Sequence, residues 1–355
     1  MQLSFFLGAN SKKGFFSFYD ELIDLKNADA VYILKGGPGS GKSSLMRKVL
    51  ESAEKSGLDT QKIYCSSDPD SLDAVVIPSL RKAIVDGTSP HVVEPSYPLA
   101  VERYINLGVF ADYDKIAEKR TDIISVKDKY STYFPRAYRF TSAAAKVENE
   151  LFDLIIGGVS LERIRKKAQG VISREIRGKS GSGKNTSHRF ISAVSPKGYI
   201  NLLKDYSGIL DKVFLIEDSF GLSHFFLAPI LDALEDSGFP CFVCMSALHP
   251  EKIEHLIIPE LNLAFFTSPK GDSDAVAYTK KIRLDSMISG EFIKCNKQKL
   301  AFLRKLSASM VGEACAILSE AKAVHDDLES IYNPYIDFDS LYKFADSLTV
   351  EIIGK

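Results

Sequence analysis

The sequence has few cysteines, no long apolar run and no net excess of charge of either sign. Its 355 residues include five cysteines, 45 lysines and arginines, and 46 aspartates and glutamates. Five cysteines, an odd number without the spacing of a disulfide framework, indicate a reducing compartment, and a balanced charge indicates no particular charged partner. No apolar run approaches the length of a membrane span, and the first eight residues do not resemble a signal peptide. We therefore expect a cytoplasmic protein that contacts no membrane.

The most informative segment is glycine-rich and lies between an apolar run and an amphipathic helical pattern. Residues 31–34 read as a buried strand, and residues 36–44, here called the glycine loop, match the pattern G-x-x-x-x-G-K-S/T. Glycines let the backbone turn so that its N–H groups converge on phosphate oxygens. Lys42 would contact the β and γ phosphates, and Ser43 would bind Mg²⁺. The residues expected to hold ATP are Gly36, Gly37, Pro38, Gly39, Ser40, Gly41, Lys42, Ser43 and Ser44.

The sequence also contains an internal repeat that covers nearly the whole chain. Residues 50–85 pair with residues 231–266 at a constant shift of 181, and nine of the 36 pairs are identical. About two identities would be expected from average residue usage. The repeat predicts two similar domains in tandem, residues 1–177 and 189–355, joined by a Gly/Ser/Lys linker at 178–188.

In the second copy the glycine loop is degenerate. Alignment of residues 213–231 with the first copy places Asp218 opposite Gly36, His224 opposite Lys42 and Phe225 opposite Ser43. A carboxylate where a triphosphate would lie repels it strongly in a poorly solvated site. We expect the second copy to bind no nucleotide in the usual way and to serve a structural or regulatory role.

Asp86 is the predicted second Mg²⁺ ligand, together with Ser43, and a candidate catalytic residue beside Lys42. It ends an apolar run at 83–85, as in a Walker B strand, and the second copy has Thr267 at the corresponding position. The acid is therefore missing from the same copy that lacks the lysine. The alternative is that Asp86 only opens a turn, because aspartate favours turns in any case.

Further acids follow a predicted strand at 62–65, near the carboxyl edge of the expected sheet. Asp68 is a candidate catalytic residue because ligand sites of open α/β sheets lie at that edge. Asp70 and Asp73 correspond to acids in the second copy, and they read as helix-capping or first-turn residues.

Weaker candidates lie outside these motifs. His91 and Glu94 follow the predicted Walker B strand and would either orient a water or lie in a solvated loop. Arg136 and Arg139 share a helical face and would either sense the γ-phosphate or remain solvated. Alternating patterns at 171–176 and 349–353 predict strands.

Three signals carry little weight. Residues 178–187 imitate a second phosphate loop, but Asn185 replaces the Mg²⁺-binding hydroxyl and no apolar strand precedes the segment. Residues 163–189 hold nine basic side chains and one acid, which indicates either a nucleic-acid contact or, more commonly, a solvated helix face and linker. No Asn-Lys-x-Asp signature supports a preference for GTP.

Four segments together, residues 5–20, 33–48, 65–78 and 83–95, resemble a family of bacterial P-loop ATPases. Members of that family have two tandem nucleoside-triphosphatase-like domains. The resemblance implies a P-loop fold for both halves, each with a mostly parallel sheet, flanking helices and a helical extension. It also implies ATP binding through the glycine loop, but it indicates no substrate.

These features favour a Mg²⁺-dependent ATPase that uses the first copy and retains the second as a partner domain in the same chain. One alternative is a kinase acting on a small, nucleotide-type molecule beneath a helical lid. Another is a scaffold that binds ATP without hydrolysing it and contacts nucleic acid through residues 163–189.

Overall fold

Strands and helices come in runs along the chain rather than in strict alternation. The computed structural model describes residues 1–89, 92–183, 186–271 and 276–354. The strands are β1 (Gln2–Phe6), β2 (Gly8–Ser11), β3 (Gly14–Ser17), β4 (Ala30–Lys35), β5 (Thr60–Tyr64), β6 (Leu72–Ile77), β7 (Lys82–Asp86), β8 (Glu102–Asn106), β9 (Thr186–Phe190), β10 (Ser192–Ser195), β11 (Gly198–Asn201), β12 (Lys212–Glu217), β13 (Cys241–Met245), β14 (Ile253–Ile258), β15 (Leu263–Ser268) and β16 (Lys280–Arg283). The helices are α1 (Lys42–Lys55), α2 (Tyr113–Glu118), α3 (Arg120–Ser131), α4 (Tyr133–Ile156), α5 (Leu161–Glu175), α6 (Ser223–Asp236), α7 (Gly290–Cys295), α8 (Lys297–Tyr332) and α9 (Phe338–Ile353).

One continuous sheet of 12 strands runs through the molecule, in the order β16-β12-β15-β14-β13-β9-β1-β5-β6-β7-β4-β8. In each half of this sheet all strands but one run in the same direction; the exceptions are β6 and β14. The two halves join through an antiparallel contact of β1 with β9, where Phe6 pairs with Phe190. The predicted α/β class with a large, mostly parallel sheet is therefore confirmed.

The strand order repeats from the centre of the sheet outward, in agreement with the repeat in the sequence. The first half reads β1-β5-β6-β7-β4-β8, and the second reads β9-β13-β14-β15-β12-β16. Even a local turn is repeated, because Arg81 and Asn262 both have a φ of 50° just before β7 and β15. Each half also carries a two-stranded hairpin, β2–β3 or β10–β11.

The predicted strand and helix around the glycine loop are present as β4 and α1. β4 is buried on both faces, as its unbroken apolar sequence requires in a central parallel position. Helix α1 buries one stripe of side chains, Leu45, Met46, Val49, Leu50 and Ala53. The buried stripe of α1 packs against β4 in one apolar core, and this packing fixes the position of the glycine loop at the carboxyl end of β4.

Helices are exchanged between the two halves. α9 belongs to the second copy, yet its buried residues Leu341, Ala345 and Leu348 share one apolar core with α1 and β4. α5 belongs to the first copy, and Ile164 and Ala168 pack in a core with Phe226 of α6. Each copy therefore completes the core of the other.

Helices α4 and α8 pack along each other and connect the halves. The 36 residues of α8 correspond to a length of about 54 Å at 1.5 Å per residue. Leu300 and Leu303, near its start, lie in the core of the second half. None of the helices in the described ranges combines the length and the apolar character needed to cross a bilayer.

Two of the strand predictions are wrong. Residues 171–176 form the last turns of α5 and its C-cap, and residues 349–353 form the end of α9. Their β-branched residues suggested strands, but Val171 and Ile352 pack as parts of buried helical stripes. Tertiary packing of an amphipathic face outweighs the weak local preference of such residues.

Truncation of Leu341 tests the packing of α9 on α1. Leu341 is fully buried, so Leu341→Ala is expected to lower the free energy of unfolding by about 2–5 kcal/mol through lost contacts and a cavity. Val350, on the same helix, is 56% exposed, and Val350→Ala is the matched control, with an expected change within about 0.5 kcal/mol. Urea unfolding followed by circular dichroism measures both. Equal changes for the two variants would contradict the exchanged packing.

Candidate functional site

The glycine loop opens into a cavity of about 560 Å³. Its walls come from the loop and α1, from the carboxyl ends of β5 and β7, and from α3, α4 and α8. Residues of the loop that line it are Gly36, Pro38, Gly39, Ser40, Gly41, Lys42, Ser43 and Ser44. Residues of the other walls include Cys65, Asp68, Asp73, Asp86, Lys127, Tyr130, Phe134, Lys322, His325, Glu329 and Asn333.

Two glycines of the loop adopt a backbone that other residues rarely take. Gly39 has a φ of 68° and Gly41 a φ of 77°, both in the left-handed region. Gly41 is also the N-cap of α1, so the turn from loop to helix depends on it. The loop therefore ends at a helix N-terminus, where unpaired N–H groups and the helix dipole favour an anion.

Lys42 lies over the glycine loop and faces Asp86. Its ammonium group donates to the carbonyl oxygens of Gly36, at 3.2 Å, and Gly37, at 3.0 Å. It also lies 3.7 Å from Asp86 Oδ2, and both side chains are largely buried. The structure thus brings together the lysine and the acid that the sequence predicted as a pair.

Asp86 ends β7, as predicted, and β7 pairs with β4 in parallel, with Leu34 opposite Asp86. Its Oδ1 accepts hydrogen bonds from the Thr88 backbone N–H and hydroxyl. Asp86 therefore opens a turn and also faces Lys42, so the two interpretations of this residue are compatible.

Ser43 and Asp86 supply oxygen ligands to the same cavity. Ser43 Oγ accepts a hydrogen bond from the Leu72 backbone N–H at 3.0 Å, which leaves its own hydrogen and a second lone pair available. Hydroxyl and carboxylate oxygens are the hard donors that Mg²⁺ prefers. The donor set present at the cavity therefore fits the predicted metal.

Asp68 lies on the cavity wall, as expected, but its neighbours are less predictable. Its Oδ2 accepts from the Ser71 hydroxyl at 2.9 Å and lies 3.6 Å from Lys322 Nζ of α8.

The helix-capping role predicted for Asp70 and Asp73 is wrong. Asp70 lies in a turn and pairs with Lys197, whereas Asp73 lies in β6 and accepts a hydrogen bond from Tyr19.

The weaker candidates are not brought to this cavity within the described residues. Arg136 and Arg139 are exposed on α4 and do not line it. Glu94 pairs with Lys35, at 2.9 Å, and His91 lies outside the described residues. In the imitation loop at 178–187, Lys184 and Asn185 also lie outside them, whereas residues 186 and 187 belong to β9.

Helix α8 supplies cavity residues that sequence reasoning missed. Lys322, His325 and Glu329 recur at helical spacing and face the cavity, although they belong to the second copy. Burial would lower the pKa of Lys322, but Asp326 and Asp68 raise it above its ordinary value. Burial lowers the pKa of His325, and Glu329 opposes that effect. The signal available in the sequence was the spacing of these three side chains by three and four residues, which places them on one face of the helix.

An aromatic patch forms the wall between α3, α4 and α8. Tyr130 packs edge-on against Phe134, with ring centroids 5.0 Å apart, and against the ring of His325 at 5.4 Å. Lys127 lies 5.1 Å from the centroid of the Tyr130 ring. Burial raises the pKa of Tyr130, so this phenol stays neutral. The wall provides an apolar surface of the kind that a planar ring can contact.

The corresponding loop of the second copy is closed by its own aspartate. Asp218 is buried and accepts hydrogen bonds from the backbone N–H groups of Phe220, at 3.0 Å, and Ser223, at 2.6 Å. The carboxylate therefore accepts from one N–H group within the loop and from the first N–H group of α6. The sequence-based expectation of a carboxylate inside this loop agrees with the structure.

The residue matching at this second loop needs one correction. Helices α1 and α6 begin at Lys42 and Ser223, so His224 corresponds to Ser43 rather than to Lys42. Hydrogen bonds support that shift, because His224 Nδ1 accepts from the Ile253 backbone N–H as Ser43 Oγ accepts from the Leu72 N–H. The alignment placed its one-residue gap after Phe225, within α6, whereas the structure places it before Ser223, in the loop.

Charges are reversed between the two copies where α4 and α8 meet the sheet. In the first half Asp68 faces Lys322 and His325 of α8. In the second half His249, the counterpart of Asp68, lies 3.0 Å from Glu148 of α4. Lys12 can only donate, to His249 Nδ1 at 3.1 Å, so the Nε2–H of His249 donates to Glu148.

No protein-family model, curated protein or solved structure matches this chain. The family resemblance and the nucleotide site therefore stay predictions.

Removal of the Asp218 carboxylate tests whether it holds the second loop. Asp218→Ala leaves two backbone N–H groups of a buried loop without their acceptor, so the free energy of unfolding is expected to fall by about 1–3 kcal/mol. Asp232 is exposed on α6, the helix that follows this loop, and Asp232→Ala is the control, with little expected change. Urea titration of both variants provides the measurement. A loss no larger than that of the control would show that Asp218 does not stabilise the loop.

Proposed function

We propose that this chain binds ATP with Mg²⁺ at the glycine loop and hydrolyses it. The observation that carries the proposal is the pairing of Lys42 with Asp86, 3.7 Å apart, at the carboxyl ends of the parallel strands β4 and β7. A loop ending at a helix N-terminus, a buried lysine and an acid on the neighbouring strand together match the needs of a triphosphate and its metal.

Each residue has a distinct task in this proposal. The N–H groups of the glycine loop bind phosphate oxygens, and Lys42 neutralises charge on the terminal phosphates. Ser43 and Asp86 hold Mg²⁺, which when bound stabilises the charge that develops on the phosphate oxygens. Asp68 is the acid available to orient a water, and Lys322 keeps it paired until that water binds.

A small-molecule kinase is the second candidate. The cavity extends from the glycine loop to a separate wall formed by Tyr130, Phe134 and His325, and helices α3, α4 and α8 cover it. Such cover can exclude water and leave room for an acceptor hydroxyl near Asp68. The two candidates share the ATP site and differ only in what receives the phosphoryl group.

Substitution of Lys42 tests the shared ATP site. Lys42→Ala removes the cation over the loop, so ATP affinity is expected to fall at least about tenfold and phosphate release to fall to background. Lys55, at the exposed end of α1, provides the matched control Lys55→Ala, for which wild-type values are expected. Calorimetry with Mg·ATP and a phosphate-release assay are the measurements.

The outcomes separate the candidates. Phosphate release by the wild type with water as sole acceptor supports the ATPase, whereas ATP consumption only in the presence of added hydroxyl compounds supports the kinase. Equal affinity of the wild type and Lys42→Ala for ATP would contradict both.

A further inference from the structure

The end of helix α8 lies directly on the glycine loop. The Gly39 backbone N–H donates to Glu329 Oε1 at 3.2 Å, across 290 positions of the chain. A Cβ added to Gly39 would come within 2.2 Å of the Asn333 side-chain amide, and one added to Gly37 within 3.4 Å of the Tyr332 ring. The last turn of α8 therefore packs against bare backbone of the loop.

Asn333 strengthens this contact. With its amide oriented to satisfy both partners, its nitrogen donates to the carbonyl oxygens of Glu329 and Gly39, each at 3.3 Å. Asn333 thus connects the last turn of α8 to Gly39, the residue whose backbone N–H donates to the Glu329 carboxylate. The contact is polar and specific rather than a chance approach of two surfaces.

The Glu329 carboxylate is an anion bound to a loop whose N–H groups favour anions. A phosphate oxygen and this carboxylate cannot both accept from the Gly39 N–H, and two anions in one partly buried pocket repel each other. Nucleotide binding in the glycine loop and the Glu329 contact are therefore mutually exclusive in this geometry.

A displaced Glu329 has another partner close by. His325 lies one turn earlier on α8, and its Nδ1 is 3.7 Å from Glu329 Oε1. The side chain of Glu329 is 36% exposed, so it has room to turn away from the loop. A change of side-chain direction, with an adjustment of the last turn of α8, is enough to vacate the Gly39 N–H.

The second copy shows the same chemistry in a permanent form. Asp218 belongs to the loop that it fills, and its two backbone hydrogen bonds lie within five residues of it. Glu329 reaches its loop from a helix that begins in the core of the other half, where Leu300 and Leu303 are buried. The Glu329 contact, unlike that of Asp218, therefore joins the loop to an element anchored in the second half.

We propose that Glu329 is an internal competitor of the nucleotide and that α8 carries the signal of nucleotide binding to the second half. Without nucleotide, Glu329 occupies the Gly39 N–H and holds the last turn of α8 on the loop. Mg·ATP displaces the carboxylate and releases that turn. This inference rests on the proposed function and adds to it a regulatory link between the two copies.

Affinity measurements on charge variants of α8 test the competition. Glu329→Gln keeps the shape of the side chain and removes its charge, so it is expected to bind a non-hydrolysable Mg·ATP analogue about tenfold more tightly than the wild type. Glu329→Ala, which removes the carboxylate altogether, is expected to shift in the same direction. Asp327→Asn makes the same charge change on an exposed position of α8 away from the cavity, and it is expected to leave affinity unchanged. Calorimetry measures affinity, and circular dichroism verifies that each variant is folded.

Hydrogen exchange tests the displacement itself. Addition of the analogue to the wild type is expected to slow exchange of the amides at 36–44 and to accelerate exchange at 329–338. Faster exchange at 329–338 is specific to release of the α8 end, because ligand binding alone slows exchange.

The results distinguish failure of this inference from failure of the proposed function. If the wild type and Glu329→Gln bind equally, or the variant binds more weakly, Glu329 is not a competitor, although nucleotide binding stands. Unchanged or slower exchange at 329–338 would refute the release of α8. If neither protein binds the analogue, the proposed function is wrong, and this inference, which depends on it, is wrong as well. Binding of the analogue by Glu329→Gln but not by the wild type would be the strongest support for the competition.

Discussion

The structure depends on the requirement that a tight strand-to-helix loop finds an acceptor for its backbone N–H groups. The two copies meet this requirement with carboxylates of different origin. In the second copy Asp218 lies within the loop itself and accepts from the backbone N–H groups of Phe220 and Ser223. In the first copy the loop keeps its glycines, and its Gly39 N–H pairs with Glu329 from a distant helix. The same need for an acceptor of backbone N–H groups thus gives one loop that is closed by its own aspartate and one loop that can exchange its acceptor.

The exchange of helices turns two similar halves into one composite site. α9 completes the core beneath the glycine loop, and α8 provides the cavity wall opposite it. Residues from both copies, among them Asp68 and Lys322, face each other there. The acid and the base are reversed at the equivalent contact, where His249 lies against Glu148, so the two copies differ in charge at this position.

Local signals in the sequence predicted the local parts of this arrangement. The strand, loop and helix around Lys42 and the strand that ends in Asp86 were predictable, because an apolar run, glycines and an acid stand next to one another in the chain. The role of Glu329 was not predictable, because its contact with Gly39 joins residues 290 positions apart. Asp73 was misjudged for a related reason, since its partner Tyr19 lies on another element. The ends of α5 and α9 were taken for strands because β-branched residues carry little information once a helix has a buried face.

Duplication followed by helix exchange also constrains how such a chain can change over evolutionary time. Deletion of the second copy would strip Leu341 and Ala345 from the apolar face of α1. The first copy would then expose the core residues that hold its own loop. Retention of the second copy follows from this mutual dependence, whatever its own loop binds.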